Sequence, residues 1–186
     1  MKLSVEYLKS IDACSEAVKE FSEQQETDAV KVLELCINGN KQDWASWLIS
    51  RLLDRTNCIC YAVFAAQQVL YTFEKEYPED KRPRKAIEAA LRVLKNDTLQ
   101  NRSAAYDAAA YAYDAAAAAH AAATATYAAA ATYAAAATYA AATAASNAAS
   151  AAANAAYAAN AANAAAAYAA DISMKKKIFD YGIELF

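Results

Sequence analysis

A long alanine-rich tract constrains this chain more than any other feature. Alanine makes up about two-thirds of the residues from Ala104 to Ala170, and this tract contains no glycine or proline. Alanine has the highest helix propensity because its side chain loses no rotamer entropy on folding. The tract therefore predicts helix. Its methyl groups supply no chemistry, so a function has to come from other side chains.

The length of the tract predicts that it folds back on itself. A single straight helix from Thr98 to Gly182 would be on the order of 125 Å long at about 1.5 Å per residue. A chain of 186 residues forms a much smaller domain. We therefore expect two or three antiparallel helices, with turns near 123–126 and 143–147, where threonine and asparagine weaken the helix.

Residues 1–97 carry the large apolar side chains, and their spacing predicts five amphipathic helices. The first runs from Val5 to Phe21. The second should begin near Thr27–Asp28, which offers an N-cap, and end at Asn38–Gly39, because threonine and aspartate accept hydrogen bonds from the first turn and glycine commonly follows the last. The third, which bears both tryptophans, is expected to begin at Asn40.

The fourth and fifth helices lie on either side of a charged loop. Thr56–Asn57 should cap the fourth, whose apolar residues cover more than half of its circumference, so we expect it to be central. Pro83 suits the first turn of the fifth. Thr98 should cap the first alanine helix. These patterns together predict one all-α domain over 1–186, a multi-helix bundle in which the alanine-rich helices of 98–186 pack on the helical core of 1–97.

The composition excludes several classes of protein. A net charge of −3 gives no reason to expect binding to nucleic acid or to an anionic membrane. The tract is only weakly apolar and includes Asp107, Asp114 and His120, so we expect no membrane span. We also expect no signal peptide and a cytoplasmic location. The four cysteines are then expected to be small buried residues in a reducing compartment, with no metal and no cofactor.

Two arginines are the most plausible binding residues. Arg82 and Arg84 flank Pro83 at a helix start, where backbone N–H groups favour an anion and guanidinium groups bind carboxylates or phosphates. The alternative is a structural salt-bridge network that ties this loop to Asp107 or Glu88. His120 is either a packing or surface residue or part of a site. Motifs of the common enzyme classes are missing, so we expect a non-catalytic protein with no catalytic residues.

Three segments resemble a known family. The run Pro-x-Asp-x-Arg-Pro-Arg-x-Ala-Ile spans 78–87, an Ala-His-Ala-Ala element spans 119–122, and a closing Ile-x-x-Tyr-Gly spans 178–182. Together with residues 58–77, these segments are similar to immunity proteins of polymorphic-toxin systems, which have small relatives carried by bacteriophages. The resemblance implies an all-helical fold and suggests Asp80, Arg82, Arg84 and His120 as site residues.

The sequence thus leads to two hypotheses about function. The first is a soluble interaction protein, an immunity or phage anti-defence factor that binds and neutralises a partner toxin or defence component, and that could also form a homo-oligomer. The second is a protein that sequesters a small anion or nucleotide, with Arg82 and Arg84 on the phosphate and a tyrosine for stacking. Asp107 is a further candidate binding residue. Copurification of a protein or of a small molecule would separate the two hypotheses.

Overall fold

A computed structural model describes residues 1–39, 41–122 and 172–186 of the chain. Within these ranges there is no β-strand, and the one β-type contact is an isolated antiparallel bridge between Lys2 and Asp28. The all-α prediction is confirmed. The described helices are α1 (Val5–Ser10), α2 (Ser15–Glu23), α3 (Ala29–Asn38), α4 (Gln42–Leu52), α5 (Arg55–Glu76), α6 (Arg82–Lys95), α7 (Leu99–Ala122) and α8 (Ile172–Glu184).

Helix α5 is the centre of the core, as its apolar pattern predicts. Helices α6 and α8 pack directly on α5, α8 also contacts α4, and α3 packs on α4. Side chains around most of the circumference of α5 are buried because neighbours cover it on several sides. Its buried side chains include Ile59, Tyr61, Ala62, Val63, Ala66, Val69, Leu70 and Phe73.

The predicted first helix is in fact two helices. Helix α1 ends at Ser10 and α2 begins at Ser15, and between them Asp12 has φ 62°. The prediction of one helix from Val5 to Phe21 is therefore wrong. Left-handed backbone ends a right-handed helix, and aspartate is one of the few residues that adopts it readily. The apolar spacing persists across the break, which is why the sequence pattern hides it.

Most of the predicted helix ends are correct. The Asp28 carboxylate caps α3 by accepting a hydrogen bond from the Val30 N–H at 3.1 Å. The Thr98 hydroxyl accepts one from the Asn101 N–H, also at 3.1 Å. Gly39 follows the last residue of α3.

The predicted cap of the central helix is wrong. Asp54, not Thr56–Asn57, caps α5, because its carboxylate accepts a hydrogen bond from the Asn57 N–H at 2.8 Å. An aspartate caps a helix at least as well as threonine or asparagine, so the helix begins two residues earlier than predicted. The Asn40 cap predicted for α4 lies outside the described residues.

Alanine methyl groups allow α6 and α7 to pack closely. Ala86 of α6 is buried against Ala109 and Ala112 of α7, while Ala105 and Ala115 join the main core. Small side chains let two helix backbones approach, and the close fit leaves no room for larger ones. The part of the alanine-rich region that the structure describes therefore packs on the N-terminal helices as predicted. The turns predicted near 123–126 and 143–147 lie outside the described residues.

The closing element of the sequence has a packing role. In α8, Ile178 and Phe179 are buried, and the Tyr181 ring stacks on Phe64 of α5 with 4.1 Å between centroids. A Cβ atom at Gly182 would lie only 2.8 Å from the Tyr61 ring. Glycine is therefore required by the close approach of α8 to the core.

No helix in residues 1–39, 41–122 and 172–186 combines the length and apolar character of a bilayer span. The division of the chain into one domain over 1–186 stays a prediction.

Replacing a buried alanine of α7 should overpack its contact with α6. We expect Ala112→Leu to lower the free energy of unfolding by about 1–3 kcal/mol, because the added atoms force strain into a filled interface. Ala110→Leu, at an exposed position of the same helix, is the matched control and should stay within about 0.5 kcal/mol of the parent. Urea unfolding followed by circular dichroism measures both. Equal stability of the two variants would show that α7 does not pack on α6.

Candidate functional site

The Arg82 side chain is held by the loop in front of its own helix. Its Nε and Nη2 donate to the Asp80 carboxylate at 2.9 and 2.5 Å, and the Arg82 backbone N–H donates to Asp80 Oδ1 at 3.0 Å. These hydrogen bonds lower the pKa of Asp80 because they stabilise its ionised form. The structure thus brings together two predicted site residues, Asp80 and Arg82, which bind each other.

Arg84 forms a two-point ion pair with α5. Its Nε and Nη2 donate to the two oxygens of Glu74, both at 2.6 Å. This pair lowers the pKa of Glu74. The predicted bridge from Arg84 to Asp107 or Glu88 is therefore wrong. Glu74 lies in the last turn of α5, directly across the α5–α6 turn from Arg84, so it reaches the guanidinium first.

Asp107 forms no ion pair with Arg84 in the described residues. It is exposed on α7, where it lines a shallow groove of about 560 Å³ with Arg82, Lys85, Arg92 and Tyr111. Asp107 and Arg82 therefore share one groove, whereas Arg84 is not among its lining residues. His120 falls within the range of α7, but the prediction for its side chain lies outside the described residues.

A second arginine cluster joins the far end of α5 to the α6–α7 connection. The Asp97 carboxylate accepts from Arg55 Nη1 at 2.5 Å and from Arg102 Nε and Nη2 at 2.5 and 2.8 Å. Two guanidinium groups on one carboxylate, Arg102 with the larger effect, hold the pKa of Asp97 well below its usual range. Sequence reasoning missed this cluster, because Arg55 lies 42 residues before Asp97 in the chain.

An apolar groove of about 620 Å³ lies between α2, α3 and α4. We call it the α2–α4 groove; its walls include Phe21, Val32, Leu35, Cys36, Trp44 and Trp47. No residue of α2 is fully buried, and the Leu35 side chain is 52% exposed. An amphipathic helix usually buries its apolar face, so α2 presents an incompletely covered surface.

The charged groups of the α2–α4 groove are acidic. Asp12, Glu20 and Asp43 are among its lining residues, and none of the described lining residues is a lysine or arginine. Lys41 lies close by, but its ammonium group is paired with Glu20 and sits 4.6 Å from the centroid of the Trp44 ring. Asp12 and Asp43 form no ion pair within the described part of the chain. The Arg51 guanidinium lies beside the other tryptophan, 5.6 Å from the centroid of the Trp47 ring. The groove therefore combines an apolar floor with two exposed aspartates that form no ion pair in the described residues, and two cations lie at its tryptophans.

The four cysteines differ in burial, and none of them belongs to a metal site in the part of the chain that the structure describes. Within the described residues, no group of three His, Cys, Asp or Glu side chains is placed to hold a metal ion. Cys58 is buried, and burial raises the pKa of its thiol to about 12. Its Sγ donates to the Ser50 carbonyl at 3.2 Å. Cys14, in contrast, is exposed, so the expectation that all four cysteines are buried is wrong.

Sequence reasoning did not predict the α2–α4 groove as a site. It assigned Phe21 to a helix continuous with α1, which would have directed that face into the core. A usable signal was the pair of tryptophans at i and i+3 in a helix beside several acidic residues, since tryptophan is enriched in binding surfaces. Only the tertiary arrangement reveals that these rings line an open groove.

Comparisons with family models, with curated protein sequences and with solved structures find no match for this chain. The resemblance to immunity proteins of polymorphic-toxin systems therefore stays a prediction.

Neutralising Asp97 should change how stability depends on pH. Its folded-state pKa is lowered, so its contribution is fully present above the unfolded carboxyl pKa of about 4 and is lost as the pH falls further. We expect Asp97→Asn to lower the free energy of unfolding at pH 7 by about 1 kcal/mol, since the pairs are largely solvent-exposed.

The difference from the parent should shrink as the pH falls below about 4. Urea unfolding from pH 7 to pH 2.5 measures it, and Asp107→Asn is the control because Asp107 forms no ion pair in the described part of the chain. A constant difference between Asp97→Asn and the parent over this range would contradict the ion-pair explanation.

Proposed function

We propose that this chain is a non-catalytic interaction protein that binds a partner protein, in the manner of an immunity or phage anti-defence factor. The observation that carries the proposal is the α2–α4 groove. A groove of this size with an exposed leucine and two half-buried tryptophans is typical of a protein-binding site, because tryptophan and other large apolar side chains dominate the energetics of interfaces. The resemblance of residues 78–87 and 178–182 to immunity proteins supports the biological role.

The state of the two arginines argues against the anion-binding alternative. Arg82 and Arg84 each direct at least two hydrogen-bond donors at a carboxylate of this chain. A phosphate that bound the same two-donor edge of either guanidinium would have to displace Asp80 or Glu74, and the displaced carboxylate would lose its partner. We therefore assign these pairs a structural role. The anion-binding alternative can still be tested, because Arg82 lines the shallow groove between α6 and α7.

Copurification with matched variants tests the proposal. The tagged chain is expressed in its native cells at native level, and retained proteins and small molecules are identified by mass spectrometry. We expect a stoichiometric protein partner that is retained by Arg84→Lys and lost by Leu35→Lys. Leu91→Lys makes the same substitution at a leucine of α6 with similar exposure, 40%, and is the control.

Two outcomes would contradict the proposal. The first is retention of a phosphate-bearing small molecule that Arg82→Lys abolishes, with no protein partner. The second is equal retention of the partner by Leu35→Lys and the parent, which would place the binding surface elsewhere. Melting curves accompany each variant, so that loss of binding is not confused with loss of fold.

A further inference from the structure

We propose that the α2–α4 groove binds a cationic amphipathic helix of the partner, with the apolar face of that helix on the tryptophans and its Lys or Arg side chains beside the acidic rim. The inference rests on the proposed function and adds the chemistry of the partner segment. Laying an amphipathic helix into an apolar groove is a common mode of peptide recognition, with anchors at i, i+3, i+4 and i+7.

The dimensions of the groove suit such a helix. The flanking helices α2 and α3 have 9 and 10 residues. Helices of this length extend for about 14–15 Å, and anchors at i and i+7 of a bound helix are about 10.5 Å apart. Two turns of a partner helix therefore fit along the walls. The walls of the groove are helices, whose backbone groups are hydrogen-bonded within each helix. A partner segment in the form of a β-strand would therefore find no sheet edge to pair with.

The acidic rim of the groove favours a partner helix with positively charged side chains. Asp12 and Asp43 are exposed on the groove and form no ion pair within the described ranges, while Glu20 is matched by Lys41. Basic side chains flanking the apolar stripe of a bound helix would complement this rim, whereas acidic ones would be repelled. Such charge complementarity increases specificity and the rate of association more than it increases affinity.

Two other occupants fit the charge less well. The alanine-rich residues 123–171 contain no lysine or arginine, so this segment of the chain offers no positive charge to the acidic rim. A second copy bound through a two-fold axis would place the same acidic groove against itself, because such an interface uses the same patch on both subunits. A basic helix from another protein supplies positive charge and does not place two acidic grooves against each other.

Tryptophan fluorescence can measure whether the groove is occupied. The chain has two tryptophans, and both line the groove, so intrinsic fluorescence measures binding by a peptide that lacks tryptophan. The full chain is titrated with three synthetic peptides of equal length. One carries Leu at i, i+3, i+4 and i+7 with Lys elsewhere, the second replaces Lys with Glu, and the third scrambles the Leu–Lys order.

We expect only the patterned cationic peptide to bind saturably. Its affinity should fall as salt rises from about 0.1 M to about 1 M, because the screening length drops from about 10 Å to about 3 Å. Leu35→Lys should weaken binding by about tenfold or more, whereas Leu91→Lys should leave it unchanged. Leu35→Ala, which adds no charge, provides a second variant if Leu35→Lys unfolds.

The contribution of the rim is tested with two double variants that change the net charge by the same amount. Asp12→Asn with Asp43→Asn removes two carboxylates from the groove, and asparagine tolerates the left-handed backbone at position 12. Glu88→Gln with Asp107→Asn removes two carboxylates from the α6–α7 side. We expect the first pair to weaken binding several-fold and to flatten its salt dependence, and the second to change neither.

Several results would overturn the proposal. Equal binding of the acidic or scrambled peptide would remove the charge or helix requirement. A dimer that Leu35→Lys dissociates, measured by light scattering, would assign the groove to a second copy. Quenching of both tryptophans by a single-chain detergent below micelle formation, with no peptide bound, would assign it to a small apolar ligand.

Failure of this proposal is distinguishable from failure of the proposed function. If no cationic peptide binds but the native partner is still lost with Leu35→Lys, the function stands and the partner chemistry is wrong. If the peptide binds as expected but no protein copurifies, the groove chemistry stands and the function is wrong.

Discussion

The packing of α6 and α8 onto α5 is the interaction on which the rest of the structure depends. Apolar side chains project from most of the circumference of α5, so burying them requires neighbours on several sides. Helix α5 contributes more buried hydrophobic residues than any other described helix. Gly182 lets α8 approach Tyr61 closely enough to close one side. Alanines extend the same close packing outward from α6 to α7.

Arginine–carboxylate pairs link α5 to neighbouring segments at both of its ends. The Glu74–Arg84 pair joins α5 to α6 beside their connecting turn, and Asp97 joins Arg55 to Arg102 at the opposite end of α5. Such pairs add modest stability individually, but their two-point geometry fixes the relative position of the helices. The charged loop therefore stabilises the fold, while the partly covered helix α2 is left as the accessible apolar surface.

The fold could be predicted from the sequence to a large extent, and the site much less. Apolar spacing predicts α3, α5 and α6 because each helix turns its periodic residues inward. The break at Asp12 could not be predicted, since one left-handed residue interrupts the helix without disturbing the apolar spacing. The partner of Arg84 depends on which acidic residue the α5–α6 turn brings closest.

The groove between α2 and α4 illustrates the remaining difficulty. Its tryptophans and Phe21 have the spacing of core residues, and the sequence does not indicate whether another element covers them. Only the position of α2 relative to α3 and α4 leaves these side chains open. The acidic residues of the rim come from separate segments, so their common location is a tertiary property.

Hydrogen–deuterium exchange on the complex with the native partner tests the central claim most directly, because it maps the bound surface without any substitution. The account predicts slower amide exchange on binding in residues 15–23, 29–38 and 42–52, with unchanged exchange in 80–92. Protection concentrated at the start of α6 and on the facing side of α7, with α2 to α4 unaffected, would contradict it.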